Sequence, residues 1–207
     1  MSTQQRIKLA TLAGIIGPLL LGGVLTLLTI LERDFMLSIG WKLDAPLDWP
    51  SGLALGPIGW ILTLTFFLSG LSIFIFASGL RLRLPRVRPA GIATGLFSLA
   101  GLGMIGLIFP TDKTIRTTPA TWHGHLHDAS FAVIGFTLMP AMIILGFVFF
   151  KDKRWQNLTL YTWITVVLAI PTFWMKGVAF YFFLAAILIW CEVVALRLRS
   201  INAQNTV

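Results

Sequence analysis

The sequence predicts an all-α protein, a polytopic membrane bundle of six transmembrane helices with N-terminus and C-terminus cytoplasmic. Three observations carry that reading. Six apolar runs alternate with short polar segments, at Leu9–Leu31, Pro57–Leu80, Ala90–Phe109, Ala129–Phe150, Leu158–Trp174 and Val178–Leu196. Each is close to the ~17–25 residues an α-helix needs to cross a hydrocarbon core about 30 Å thick. Charged residues make up only 12% of the chain and apolar residues 57%, where soluble domains carry about 25% charged residues. The basic residues, finally, gather in every second polar segment. Arg6 and Lys8, then Arg81, Arg83, Arg86 and Arg88, then Lys151, Lys153 and Arg154, then Arg197 and Arg199 make eleven of sixteen. The positive-inside rule places these segments in the cytoplasm.

Taken in order, the first run follows Arg6 and Lys8 as a signal peptide would, but it is longer than an ordinary h-region. No small-x-small cleavage site follows before Glu32, so it is expected to be retained. The outward segment Glu32–Gly56 is the longest, and with Phe35, Trp41 and Trp49 it reads as an interfacial lid at headgroup level. Pro85 and Pro89 end the second run and start the third, proline being suited to a first helical turn. The third run holds Gly91, Gly95, Gly101, Gly103 and Gly106. Lipid offers no hydrophobic drive for helix association, so small residues that allow close approach matter there. The Gly91/Gly95 pair marks this helix as the expected centre of the bundle, packed against helices of its own chain. Pro18, Pro140 and Pro171 interrupt the first, fourth and fifth runs. Glu192 is an acid inside the last run, expected to pair with Arg197 or the other inner arginines. The single Cys191 excludes a disulfide framework and reads as a packing residue. No polar segment is long enough to fold alone, so residues 1–207 form a single integral membrane domain. The net charge of +8 is topological and suits contact with anionic membrane lipids; its distribution gives no nucleic-acid footprint.

One constellation could carry chemistry. The segment between the third and fourth runs contains all three histidines, with Asp112 before them and Asp128 after. If the fourth helix starts near Thr121, His123 and His127 stand at i and i+4 on one face, and His125 points elsewhere. Asp112, His123 and His127 could then supply the three ligands of a catalytic zinc site with one open position. The glutamate of the His-Glu-x-x-His metalloprotease pattern is absent. The plain alternative is structural, with both histidines hydrogen-bonded to loop carbonyls and Asp112 forming a turn after Pro110. Ionisable residues at membrane depth nevertheless point to function by default. Ser51 and Lys176 reach the same outward level and would complete a pocket.

Two stretches resemble a known family. Ser51-Gly-Leu-Ala-Leu-Gly-Pro-Ile-Gly-Trp60, running into Phe67-Leu-Ser-Gly-Leu71, is similar to the second-helix signature of the prokaryotic six-helix membrane proteins called domain of unknown function 998. The Phe109-Pro-Thr-Asp112 turn followed by His123-Gly-His-Leu-His127 resembles that family's second signature. The resemblance implies fold and topology, and that Ser51, Asp112, His123, Gly124 and His127 belong together on the outward side. Lys176 stands where family members often carry arginine, keeping the charge but not the fork. The resemblance implies no activity.

Three functions follow as expectations. The first is a multi-pass protein of the plasma or bacterial inner membrane whose outward His/Asp pocket binds a small ligand or lipid headgroup. The second is a metal-dependent membrane hydrolase using zinc held by Asp112, His123 and His127. The third is a proton-coupled transporter using the histidines.

Overall fold

The computed structural model describes residues 1–40, 49–112, 121–175 and 177–204. Lys176, one of the expected pocket residues, lies outside them, as do Trp41 of the first outward segment and residues 113–120. The described residues form seven α-helices: α1 (Thr3–Leu31), α2 (Arg33–Ser38), α3 (Trp60–Arg83), α4 (Arg88–Gly106), α5 (Trp122–Lys151), α6 (Thr159–Phe173) and α7 (Val178–Gln204). A 3₁₀ turn, Pro50–Leu55, leads into α3, and another, Gln156–Leu158, leads into α6. α1, α3, α4, α5 and α7 are long and apolar enough to cross a membrane. α6 has 15 residues and is shorter than a usual span; the 3₁₀ turn before it extends the same apolar run. The chain is therefore a multi-pass helical membrane protein.

Local chemistry explains where the helices depart from the apolar runs. α1 starts at Thr3, ahead of its apolar run, because Ser2 accepts from Gln5 N at 3.2 Å while the Gln5 side chain accepts from Ser2 N at 2.7 Å, a complete capping box. α5 begins at Trp122, about two turns ahead of its apolar run at Ala129 and where the i, i+4 reading of the histidines needs it, because the Thr121 hydroxyl caps it by accepting from Gly124 N at 3.1 Å. α7 continues beyond Leu196 to Gln204, its tail burying Leu198 and Ile201 while Arg199 stays exposed.

The six long helices close a ring. α1 lies between α7 and α3, and the order continues through α4, α5 and α6 back to α7. The expectation that the glycine-rich helix sits at the centre is therefore corrected: α4 is one stave of the ring, and the centre is a cavity. The glycine face is also reassigned. A Cβ on Gly95 would meet nothing within 4 Å, and one on Gly91 would touch only the Arg81 side chain at 3.8 Å. Gly101 instead abuts Gly70 of α3, and Gly103 and Gly106 abut Ser130 and Ile134 of α5. The close helix contacts are within one chain, as expected, but through the later glycines. On the far side of α5, Gly135 receives the Phe173 ring and Gly146 the Trp163 ring, both from α6.

The two ends of the ring differ. At the arginine end, the Asp152 carboxylate accepts from Arg154 Nη2 at 2.7 Å, and Arg154 Nη2 also donates to the Arg83 carbonyl at 3.0 Å. Arg83 donates to Asn202, and Arg197 Nε donates to the Arg154 carbonyl at 2.7 Å. Arginines thereby tie α3, the α5–α6 link and α7 together. The hydrogen bonds from Arg154 hold the Asp152 carboxyl below its ordinary value. Glu192 takes no part: Arg197 is committed to a carbonyl, and Glu192 makes no ion pair among the described residues, so the expected pairing is not formed. The opposite, histidine end carries the candidate site.

Candidate functional site

Two carboxylates organise the histidine end, each seated on the bare Cα of a glycine. Glu32, buried at the end of α1, accepts from Ile58 N at 2.7 Å. A Cβ on Gly56 would lie 2.5–2.7 Å from its carboxyl atoms. Asp112, just beyond the exit of α4, accepts from Thr121 N at 3.0 Å and from the Thr121 hydroxyl. A Cβ on Gly124 would lie 2.1 Å from Asp112 Oδ2. The first contact joins α1 to the start of α3, and the second joins α4 to the start of α5. The Thr121 bonds, with His123 close by, hold the Asp112 carboxyl below its ordinary 3.8.

Proton bookkeeping assigns the histidine tautomers. Thr121 gives its hydroxyl proton to Asp112, which only accepts. The proton between Thr121 Oγ1 and His123 Nδ1, 2.8 Å apart, therefore comes from the imidazole, which also lies 3.1 Å from the Pro110 carbonyl. His127 Nδ1 is 2.8 Å from the Phe109 carbonyl, again an acceptor only. Both rings thus carry their proton on Nδ1, and in the neutral form both hold a lone pair on Nε2.

The sequence-predicted residues separate into two groups. Asp112, Thr121, His123 and Gly124 form one connected cluster, with His123 Nδ1 and Asp112 Oδ1 at 4.0 Å. His127 lies one turn further along α5, bonded to Phe109, and no hydrogen bond joins it to Asp112 or His123. His125 is exposed and outside the cluster. Among the described residues, no three His, Cys, Asp or Glu side chains are grouped so that they could hold a metal ion, so the three expected zinc ligands are not brought to one point. The histidines do what the structural alternative requires: both engage carbonyls of the α4 exit.

His127 does belong to a second feature. A cavity of about 510 Å³ runs down the inside of the ring. It is lined from Ala13 to Leu25 on α1, which is about 18 Å at ~1.5 Å per residue. Most of its wall is apolar, including Phe66, Met104, Leu138, Phe183 and Ile187. The polar groups at its histidine end are Ser51, Thr111, His127 and Asp128. Phe76 and Phe97 line the other end, at a ring separation of 5.9 Å, and Phe97 meets Trp190 at 5.9 Å. Trp190 is fixed in turn by donating Nε1 to Thr162 Oγ1 at 3.0 Å. The cavity is therefore aromatic at its arginine end and carries its polar side chains at its histidine end.

Sequence reasoning missed Thr121 as the hub, Asp128 as a cavity residue, and Glu32 as the second glycine-seated carboxylate. Thr121 stands at the expected helix start, and a threonine there is a helix-cap signal; its bonds to Asp112, nine residues away, carried none. Glu32 carried no local signal, because its partners Gly56 and Ile58 are more than twenty residues away.

Comparisons with curated proteins and with solved structures give no match. A family model does match, over residues 44–199, which takes in the 3₁₀ turn with Ser51, the Asp112–Thr121–His123 cluster and every helix from α3 through most of α7. The chain belongs to that family, the proteins of unknown function called DUF998.

Proposed function

We propose that this membrane protein binds an amphipathic small molecule, its apolar part in the ring cavity and its polar head at Ser51, His127 and Asp128. The observation that carries the reading is the cavity itself. About 510 Å³ lies within the range of small-molecule sites. Its apolar wall with a few polar groups at one end is the chemistry of such a site, and the Nε2 lone pair of His127 and the carboxylate of Asp128 are acceptors for a polar head. The large rings of Phe76, Phe97 and Trp190 packed together at the arginine end support binding from the histidine end rather than passage through the ring.

The arginine clusters support a cytoplasmic arginine end in the plasma or bacterial inner membrane, so that the histidine end faces outward. In a Cys191→Ala background, cysteines placed at Arg86 and at His125 should label from opposite faces of intact cells, the second from outside. Labelling of both from the same face would overturn the orientation.

The occupancy test fills the cavity. Ala100 is buried on α4 and lines it. The wild type should carry a small molecule in native mass spectrometry, and the Ala100→Phe protein should fold and purify as the wild type does but lose it. It should also fail to take up added hexadecyl maltoside. Equal uptake by both proteins, or none by the wild type, would sink the reading.

A further inference from the structure

We infer that the head of the bound molecule is a cation of the substituted-ammonium class, carried on a single alkyl chain; this rests on the cavity being the binding site. The first ground is charge. Asp128 is the one carboxylate among the described lining residues, and no described lysine or arginine lines the cavity. Asp128 makes no ion pair with a described residue, whereas Asp112 is held by two bonds from Thr121. An anionic head would be placed beside the Asp128 carboxylate, which is exposed at the histidine end; a cation would neutralise it.

The second ground is the aromatic wall next to that carboxylate. Phe131 follows Asp128 by three residues and so lies about one turn below it on α5. Trp49 meets Phe131 edge-on at 5.2 Å and Phe180 at 4.9 Å, and Phe173 stacks on Phe131 at 4.5 Å. All four rings line the cavity. Aromatic faces are negative and attract ammonium groups, which is how quaternary amines are commonly held. They contribute nothing to a sulfate or phosphate head. His127 adds a lone pair on Nε2, which again accepts from an N–H and has no proton to give an anion while the ring is neutral.

The third ground is shape. The lining runs about 18 Å along α1, more than half of a ~30 Å core. Beyond the aromatic wall the lining is aliphatic, small or aromatic, with Ser69 and Ser72 its hydroxyls. A linear chain can occupy such a slot with its head at the histidine end.

The test compares three probes with one chain and different heads: hexadecyltrimethylammonium, hexadecyl maltoside and hexadecyl sulfate. Each is added at equal mole fraction to the full-length protein in zwitterionic nanodiscs, and occupancy is read by native mass spectrometry. The wild type should bind the ammonium probe about tenfold more tightly than the maltoside, the ratio expected of a partly desolvated ammonium held by rings. The sulfate should bind most weakly. Asp128→Asn should bring the ammonium probe down toward the maltoside while leaving the maltoside unchanged. Asp128→Lys should turn the preference toward the sulfate. Head-blind binding by the wild type, or an ammonium preference that survives both substitutions, overturns this inference and leaves the cavity reading intact. Binding of none of the three probes overturns both.

Discussion

Gly101→Leu should destabilise the bundle by about 3 kcal/mol, the upper end of what overpacking usually costs. At 207 residues that corresponds to a fall in melting temperature of about 6–12 °C by the scaling for soluble domains. The size of the effect follows from what the new side chain would meet. A Cβ at Gly101 lies 2.8 Å from the Gly70 carbonyl oxygen and 3.2 Å from Phe74 N. A Cβ at Gly70 lies 2.5 Å from the Gly101 carbonyl oxygen. Each glycine faces the other's main chain, so no side-chain rotation can relieve the contact and α3 and α4 must move apart. Gly95→Leu is the matched control, since a Cβ there meets nothing within 4 Å, and it should leave the melting temperature unchanged. Thermal unfolding of both variants in one detergent checks the pair. A silent Gly101→Leu, or an equal loss at Gly95, would show that the α3–α4 crossing is not where the glycines place it.

That contrast also marks where sequence was sufficient and where it was not. The spans were legible because lipid leaves a crossing segment few options: its backbone must pair internally, so a long apolar run is a helix. The alternation of arginine-rich and arginine-poor segments separated the two ends of the ring for the same kind of reason. Glycine density in α4 announced close packing, but not which glycines do it. Gly91 and Gly101 differ by ten residues, about 1000° of helix rotation, and only the position of α3 decides which of them it meets. The cavity was illegible for a related reason. Phe76, Phe97, Phe131 and Phe183 read in sequence as ordinary apolar positions, and whether they fill the centre or line a hollow depends on the ring closing through α7 and α1. At the histidine end the i, i+4 spacing of His123 and His127 correctly put both on one face. It could not show that the His127 Nδ1 proton is committed to the Phe109 carbonyl and that of His123 to Thr121 Oγ1, with the Pro110 carbonyl beside it.

The largest effect at the histidine end is expected from Gly124→Ala. Its Cβ would sit 2.1 Å from Asp112 Oδ2, where the carboxylate is held by two bonds from Thr121. Asp112 is too short to swing clear while keeping both, so the methyl group expels it and frees the α4–α5 connection. Thr121 would still cap α5 through Gly124 N, but the hub would lose the acceptor that fixes its hydroxyl proton and, through it, the His123 tautomer. Asp112→Ala removes the same carboxylate directly. Each variant should melt several degrees below the wild type, and the double variant no lower than the worse single one, because both delete one interaction. The pH dependence supplies an independent check. The folded Asp112 carboxyl titrates below its ordinary 3.8, so its contribution is complete above that value and is lost as the pH falls through the folded pKa. The difference in melting temperature between the wild type and Asp112→Ala should therefore hold steady from neutral pH down to about pH 5 and close below pH 3.8. Additive losses in the double variant, or a difference that ignores acid, would show that Gly124 and Asp112 act separately and that the glycine is not the seat of the carboxylate.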